Sequence, residues 1–93
     1  MLELIVEYLG TFIFFYVILQ HGQAIPIAVA LAAVIYFGGA ISGGHFNPGV
    51  SLMMFLNGKL PTNQLIQYVA VQCLAAATAV YFGKSVAMAL PTK

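Results

Sequence analysis

Three long stretches with almost no charge dominate the sequence. They run approximately over residues 4–19, 24–41 and 65–83, and Glu7 is the only charged residue within them. A helix needs roughly 20 predominantly apolar residues to cross about 30 Å of hydrocarbon. All three stretches are close to that length, so we predict three membrane-spanning helices.

The composition supports the same conclusion. Hydrophobic residues make up 62% of the chain and charged residues only 5%, whereas soluble domains carry about 25% charge. We therefore predict an integral, multi-pass membrane protein surrounded by the lipid bilayer. The net charge of +1 and the lack of a basic cluster argue against a nucleic-acid partner. The N-terminus has no basic region ahead of its apolar stretch, so we interpret it as a retained helix and not a signal peptide.

A different kind of segment lies between the second and third stretches. Residues 50–56 are apolar but too few to cross a membrane, and a turn-rich stretch precedes them. Asn47 suits a helix N-cap and Pro48 suits the first helical position, where its missing N–H costs nothing. Asn57-Gly58 then supplies a stop signal. We predict a short helix of about ten residues here.

This short helix has two interpretations: an interfacial helix in the headgroup layer, or a re-entrant half-helix that dips into the membrane and returns. Its apolar residues surround it and it lacks a basic face, which favours the re-entrant form. Its free N–H groups and positive dipole end would then point at the bilayer centre. The carbonyls of the preceding loop would line a wet path suited to a single file of water or hydroxyl groups.

Each long stretch also carries a face of small or polar residues at helical spacing, which we expect to face one another or the loop. In the first stretch this face comprises Glu7, Gly10, Thr11 and Phe14; in the second, Ala28, Ala32, Ile35 and Gly39; in the third, Tyr68, Gln72, Ala75, Ala76 and Ala79.

Three motifs resemble signatures of one membrane family. SGGHFNPGV at 42–50 resembles the first pore loop of the aquaporin, or major intrinsic protein, family, which includes the glycerol facilitators. EYLGT at 7–11 and YVAVQ at 68–72 resemble the family's first- and third-helix signatures. The resemblance implies an all-α membrane protein with three transmembrane helices plus one re-entrant half-helix, half of an aquaporin-like fold. Residues 1–93 would form a single half-channel repeat, the first of two.

The resemblance also implies roles for individual residues. Asn47 would be the pore-centre donor, Pro48 would start the half-helix, and Gly49 stands where the family usually has alanine. Lining carbonyls would come from Gly43, Gly44 and His45, selectivity positions would fall on Ile27 and Val50, and the loop would be braced from behind by Glu7 and Gln72.

The implied function is a channel for passive diffusion of water or small neutral solutes such as glycerol. If a homodimer forms, the non-aromatic Ile27 and the uncharged Val50 predict a constriction wider and less polar than that of a strict water channel, which favours glycerol-like polyols, or loss of selectivity, over water alone. One half-helix cannot enclose a pore, so we expect a complementary half: an antiparallel homodimer, or a second polypeptide, unless the chain is a fragment. Lys59, Lys84 and Lys93 give nearly balanced charge on the two sides, which leaves insertion in both orientations open.

Other functions are weighed against this one. A non-conducting truncated subunit or interaction protein would not need an intact Asn47-Pro48 tip. A small proton-coupled exporter would use Glu7 as a relay. The sequence shows no nucleophile–base pair, paired carboxylates or cofactor loop, so we expect neither an enzyme nor a cofactor. His21 and His45 have no metal-ligand spacing. We expect the His45 ring to brace the loop through a backbone hydrogen bond, with a pH-sensitive gate as the alternative.

Overall fold

Helices make up all the regular secondary structure in the computed structural model, which describes residues 1–91. In chain order they are α1 (Leu2–His21), α2 (Ala24–Ser42), α3 (Pro48–Leu56) and α4 (Thr62–Ala89). Helices α1, α2 and α4 are long and apolar enough to cross a membrane, which confirms the three predicted spans. Helix α3 is the short helix predicted after Asn47-Pro48. Lys93, used above in the orientation argument, lies outside the described residues.

The boundary between the first two spans follows from local backbone chemistry. Helix α1 ends at Gly22, which takes a left-handed φ of 53° and donates its N–H to Ile18 O at 3.1 Å. Glycine adopts that conformation without steric cost. Pro26 lies in the first turn of α2, where an N–H would have no intrahelical partner. This tight connection makes α1 and α2 antiparallel neighbours.

Helix α4 is longer than the predicted span over residues 65–83. It begins directly after Pro61 and continues through Gly83 to Ala89, shortly before Pro91. Gly83 does not terminate the helix. Its lack of a side chain instead lets α4 approach α1 closely, because a Cβ there would lie only 2.9 Å from the Gln20 amide nitrogen. The helix therefore ends near the next proline, which cannot extend it.

The packing is built around α1, which contacts both α2 and α4, while α3 packs against α4. Of the inner face predicted for α1, Glu7, Gly10 and Thr11 are buried and Phe14 is half-buried. Of the inner face predicted for α4, Ala76 is half-buried and the others are buried, namely Tyr68, Gln72, Ala75 and Ala79. Large apolar side chains elsewhere point outward, among them Tyr36 and Phe37 at 81% and 77% exposure, as expected for lipid-facing surfaces.

The inner face predicted for α2 is wrong. Ala28 and Ala32 are exposed, and the residues that α2 buries are Ala30, Val34, Gly38 and Ser42. Ile35 and Gly39 do approach the loop, because a Cβ on Gly44 would lie 3.4 Å from Gly39 Cα and 3.7 Å from the Ile35 side chain. The error has a physical reason: α2 is apolar on every side, so small residues alone do not identify the face that packs.

Helix α3 runs from the interior of the bundle back toward the start of α4. Ser51, in its first turn, bonds to Gln72, which lies ten residues into α4. Ten residues of helix correspond to about 15 Å, roughly half the hydrocarbon thickness. The C-terminal end of α3 connects through residues 57–61 to Thr62 at the start of the same helix. This is the geometry of a re-entrant half-helix and not of one lying along the surface.

Candidate functional site

The loop between α2 and α3 reverses the chain inside the bundle. Gly43 and Gly44 take positive φ values of 94° and 70°, conformations that L side chains rarely adopt. Asn47 then caps α3: its extended backbone precedes Pro48, and its side-chain Oδ1 accepts the Gly49 N–H at 2.8 Å. The predicted cap and helix start are thus present.

Glu7 is the centre of the hydrogen bonding beneath this loop. Its side chain is fully buried, and its two carboxylate oxygens accept four hydrogen bonds. Two come from the loop backbone: His45 N–H reaches Oε2 at 3.0 Å and Phe46 N–H reaches Oε1 at 2.8 Å. The others come from the Ser42 hydroxyl at 2.7 Å and the Gln72 amide at 2.9 Å. Because an ionised carboxylate is an acceptor only, this donor set matches it and holds the loop to α1.

Gln72 connects this centre to α3. Its Nε2 donates both to Glu7 Oε1 and to Ser51 Oγ, each at 2.9 Å. Ser51 Oγ in turn lies 2.8 Å from His45 Nδ1. The His45 ring therefore braces the loop through a serine side chain, and the expectation of a backbone partner is wrong. Ser51 lies six residues after His45, in the first turn of α3, and its hydroxyl is the group that reaches Nδ1 of the ring.

Tyr68 fixes the end of α2 to α4. Its hydroxyl donates to Ser42 O at 2.7 Å, and its ring meets the His45 ring edge to face, with centroids 5.1 Å apart. Ser42 itself accepts the Gly44 N–H at 3.2 Å. All three spans consequently contribute a side chain to the loop's inner surface.

Phe46 anchors the loop by packing. It is fully buried and has a φ of 53°, an uncommon and costly conformation for an aromatic residue. Its ring lies against Gly10 of α1 and Gly38 of α2, and a Cβ on Gly10 would overlap the ring. The two glycines make room for the ring, whose burial offsets the backbone strain.

The inward bonds determine where the loop carbonyls point. In a planar trans peptide the N–H of one residue and the C=O of the preceding residue point in opposite directions. Because the N–H groups of residues 44–46 are held by Ser42 and Glu7, the carbonyls of Gly43, Gly44 and His45 are turned away from that centre. Within residues 1–91 no protein donor reaches these three oxygens, and the Asn47 side-chain NH₂ has no protein acceptor. The loop thus presents acceptors followed by a donor.

A cavity of about 510 Å³ lies next to Gly43 and His45, between the end of α2 and the start of α4. Gly43, His45 and Tyr68 contribute to its wall, and Glu3 and Lys59 stand at its charged margin. This polar recess is open space next to the loop. The described residues contain no cluster of side chains able to hold a metal ion.

The remaining predicted site residues lie in two places. Gly49 is exposed and Val50 half-buried in the first turn of α3, next to Asn47. Ile27 is half-buried in the first turn of α2, and fifteen residues of helix, about 22 Å, separate it from Ser42. The structure therefore brings Gly49 and Val50 to the loop tip and places Ile27 at the opposite end of the spans.

Sequence reasoning did not identify four residues as hydrogen-bonding or packing partners of the loop. They are Ser42, Phe46, Ser51 and Tyr68, of which only Tyr68 had been placed on an inner face. For the serines a signal existed, because a hydroxyl inside an apolar segment needs a partner. For Phe46 the signal was indirect, in the glycines of two neighbouring spans that leave room for a ring.

Comparisons with known proteins agree with this geometry. The major intrinsic protein family profile matches residues 1–92. A glycerol uptake facilitator protein-like 6 of Lactiplantibacillus plantarum is 33% identical over 99 aligned residues, covering 97% of this chain and 46% of that protein. Human aquaporin-9 is 37% identical over 80% of the chain and 30% of its own length. Aquaporin Z of Brucella melitensis is 43% identical over 62% of the chain and 25% of its own length.

No solved structure gave a significant match. The chain spans 25% to 46% of the length of these relatives. The match over residues 1–92, the three spans with a re-entrant fourth helix, and the Asn-Pro cap at the loop tip together show that this chain belongs to the major intrinsic protein family, the family of aquaporins and glycerol facilitators.

Proposed function

We propose that this chain supplies one half of a channel for the passive diffusion of water and small neutral solutes such as glycerol. The observation that carries the proposal is the row of three unbonded carbonyls that leads to the Asn47 amide. Water and polyols both donate and accept hydrogen bonds, so they can replace lost hydration by bonding first to the carbonyls and then to the amide.

The charge pattern of the tip suits neutral solutes. The N-terminal end of α3 carries the positive end of the helix dipole, which disfavours cations at that depth. Glu7 is fully buried behind the loop and its oxygens are occupied by protein donors. All the hydrogen bonds to its oxygens thus come from the protein, which supports a bracing role over the proton relay of an exporter.

The first experiment replaces the Asn47 amide while keeping the helix cap. An Asn47→Ser variant retains a good N-cap residue but loses the side-chain NH₂ donor. We expect the variant to fold normally and its water or glycerol permeability in liposomes to fall at least several-fold. Asn63→Ser, at an exposed position in the first turn of α4, is the matched control and should conduct like the parent. Equal permeability of all three proteins would contradict the proposal, as would a chain that conducts nothing in any assembly.

We further propose that a second half completes the pore, and the tip of α3 supports this. Asn47, Gly49 and Leu52 are exposed, and α3 packs only against α4 among the described helices. An amide-bearing helix end exposed to hydrocarbon would cost several kcal/mol for each unsatisfied group. An antiparallel second copy would place two such tips together and reproduce the inverted symmetry of repeat-built transport proteins. A second repeat on another polypeptide, or further along the same one, would do the same.

Cross-linking distinguishes these completions. In a Cys73→Ala background, a Gly49→Cys variant places a thiol at the tip, where a Cβ meets only Asn47 Oδ1, at 3.2 Å. A homodimer predicts a disulfide-linked product in membranes. Ala77→Cys, exposed on α4, is the control for random collisions and should give less product. No excess at residue 49 would favour completion by a different second half.

The solute is a finer question. Ile27 and Val50 are apolar, so two copies of this half would form a constriction without arginine or a ring of aromatic side chains. We propose that such a pore passes glycerol-sized polyols. Stopped-flow measurements that show water permeability without glycerol permeability would contradict this part alone.

A further inference from the structure

A groove runs along the bundle surface between the last turn of α1 and the far part of α4. We infer that this groove binds an acyl chain of an anionic phospholipid, and that Lys84 and Gln20 at its rim hold the phosphate of the headgroup. Gln20 and Glu7 are thirteen residues apart on α1, or about 20 Å. The groove is therefore separate from the loop between α2 and α3, and the inference does not rest on the proposed channel function.

The walls of the groove suit a hydrocarbon chain. It has a volume of about 290 Å³, and Leu19 lines it on α1 while Ala79, Val80 and Ala87 line it on α4. Ala79 and Ala87 are eight residues apart, so the groove follows α4 for about 12 Å. An apolar groove along a membrane-spanning helix runs in the direction of the lipid chains, which makes one such chain its natural occupant.

Two polar side chains form the rim, Lys84 and Gln20. The Lys84 ammonium lies 5.6 Å from the centroid of the Tyr81 ring, and Gln20 Nε2 lies 2.9 Å from the position that a Cβ on Gly83 would take. Within residues 1–91 neither nitrogen donates to a protein acceptor. Both are thus free to donate to the oxygens of a phosphate.

The rim lies at the depth where hydrocarbon gives way to headgroups. Helix α1 ends at His21, and its 20 residues match a hydrocarbon layer of about 30 Å. Gly83 lies against Gln20, so Lys84 is at the same level. The exposed Tyr81, nearly one turn deeper, is of a residue type enriched at the membrane–water interface. A phosphate at the rim therefore leaves its acyl chain beside the deeper part of the groove.

Charge decides which class of lipid fits. The chain has two acidic side chains, Glu3 and Glu7. Glu3 is in the first turn of α1, eighteen residues or about 27 Å before His21, and Glu7 is fully buried. The choline of a zwitterionic lipid would find no carboxylate side chain at the rim and would be repelled by Lys84. An anionic headgroup such as that of phosphatidylglycerol lacks this cation and is attracted to the lysine.

A second groove on the same two helices provides an internal comparison. It has a volume of about 440 Å³, and its lining includes Met1, Leu4 and Leu74 near the start of α1. The N-terminal ammonium of Met1 is already bonded to Glu3, at 3.0 Å. The cation beside this groove is thus paired within the protein, so we expect the second groove to show no preference for anionic lipid.

Native mass spectrometry of the full chain, released from vesicles of equal parts phosphatidylcholine and phosphatidylglycerol, tests the rim. We expect one retained phosphatidylglycerol per chain, preferred about five-fold over phosphatidylcholine, which is the factor expected for one lysine at an anionic surface. Lys84→Gln should abolish the preference and Lys84→Arg should keep it. Lys59→Gln removes a lysine before the start of α4, at the other end of the bundle, and should also keep it. All variants should retain parental helix content.

Two further variants test the groove. Val80→Phe fills it below the rim and should reduce the retained phosphatidylglycerol several-fold. Val29→Phe makes the same change at an exposed position on α2 and should not. Inorganic phosphate should not displace the lipid, because it has no acyl chain.

Four results would overturn the inference. They are a parent without preference for phosphatidylglycerol, an unchanged preference in Lys84→Gln, equal retention in the two phenylalanine variants, and displacement by inorganic phosphate. None of these measurements depends on permeability, so a failure here leaves the proposed channel function untouched, and a chain that retains the lipid without conducting overturns only the channel.

Discussion

The two sides of the loop between α2 and α3 differ in one respect, the balance of donors and acceptors. On the inner side, every N–H from Gly43 to Phe46 donates to Gly39 O, to Ser42 Oγ or to Glu7. On the outer side, the carbonyls of Gly43, Gly44 and His45 have no protein partner within residues 1–91. The same peptide units are thus rigid on one side and open on the other. Glu7 accepts the N–H groups of His45 and Phe46 and so holds their peptide units in place. The free carbonyl oxygens of the same peptide units are therefore also fixed in position.

Removing the acid should have the largest effect on this difference. Glu7→Ala leaves the N–H groups of His45 and Phe46 buried without an acceptor, which should destabilise the fold by roughly 1–3 kcal/mol for each group. We expect aggregation or a large fall of the thermal midpoint in detergent. Glu7→Gln keeps the size but turns one NH₂ toward donors, and it should be destabilised by a smaller amount, about 1–3 kcal/mol. A Glu7→Gln protein as stable as the parent that has lost transport would favour the proton-relay hypothesis instead.

Adding one methyl group under the Phe46 ring should have the next largest effect. Gly10→Ala forces the ring out of its position, and overpacking of this kind costs typically 1–3 kcal/mol. Because the Phe46 N–H bonds to Glu7, the carbonyl row should shift with the ring and permeability should fall with stability. The matched control is Gly39→Ala, whose Cβ would meet only Ile35 at an ordinary 3.7 Å. Equal melting of both variants would show that the ring is not the anchor of the loop.

Removing the hydrogen bond that holds the end of α2 to α4 should have a smaller effect. Tyr68→Phe removes the hydroxyl that donates to Ser42 O and leaves that buried carbonyl unpaired, at a cost of about 1–2 kcal/mol. Tyr81→Phe, at 67% exposure on the same helix, should change the thermal midpoint very little. An equal effect of the two would indicate that the Tyr68 hydroxyl contributes nothing specific.

The smallest effect is expected on the outer side, at the tip. Gly49→Ala restores the residue usual in the family, and alanine favours helix over glycine by up to about 1 kcal/mol. Its Cβ would lie 3.2 Å from Asn47 Oδ1, so part of that gain is lost to crowding. We expect a thermal midpoint equal to or slightly above that of the parent with unchanged permeability. A large loss of either would show that the cap geometry depends on glycine.

Several of these features follow from the sequence and others do not. The spans follow because an uncharged apolar run has few alternatives to a membrane helix, and the start of α3 follows because Asn47 and Pro48 act on their own backbone. The packing face of α2 could not be read, since no polar side chain before Ser42 marks it. The bond from His45 to Ser51 could not be read from the sequence, and neither could the place of the Phe46 ring, which lies against glycines on two other helices. Properties held by neighbours in sequence were predictable from the residues themselves. Among those set by distant partners, only the bracing by Glu7 and Gln72 was predicted, and that came from the family resemblance.

The length of α4 has a consequence for how the bundle sits in a bilayer. Its 28 residues correspond to about 42 Å, whereas α1 with 20 residues matches a hydrocarbon layer of about 30 Å. Since Gly83 lies beside Gln20, the turns that follow rise above the neighbouring spans, and Met88 there is 87% exposed. A hydrocarbon layer thick enough to cover those turns would be thicker than the length of α1 and α2. Helix α4 must therefore tilt, or its last turns must lie in the headgroup layer. The side of the protein formed by α4 should therefore match a thicker bilayer than the side formed by α1 and α2.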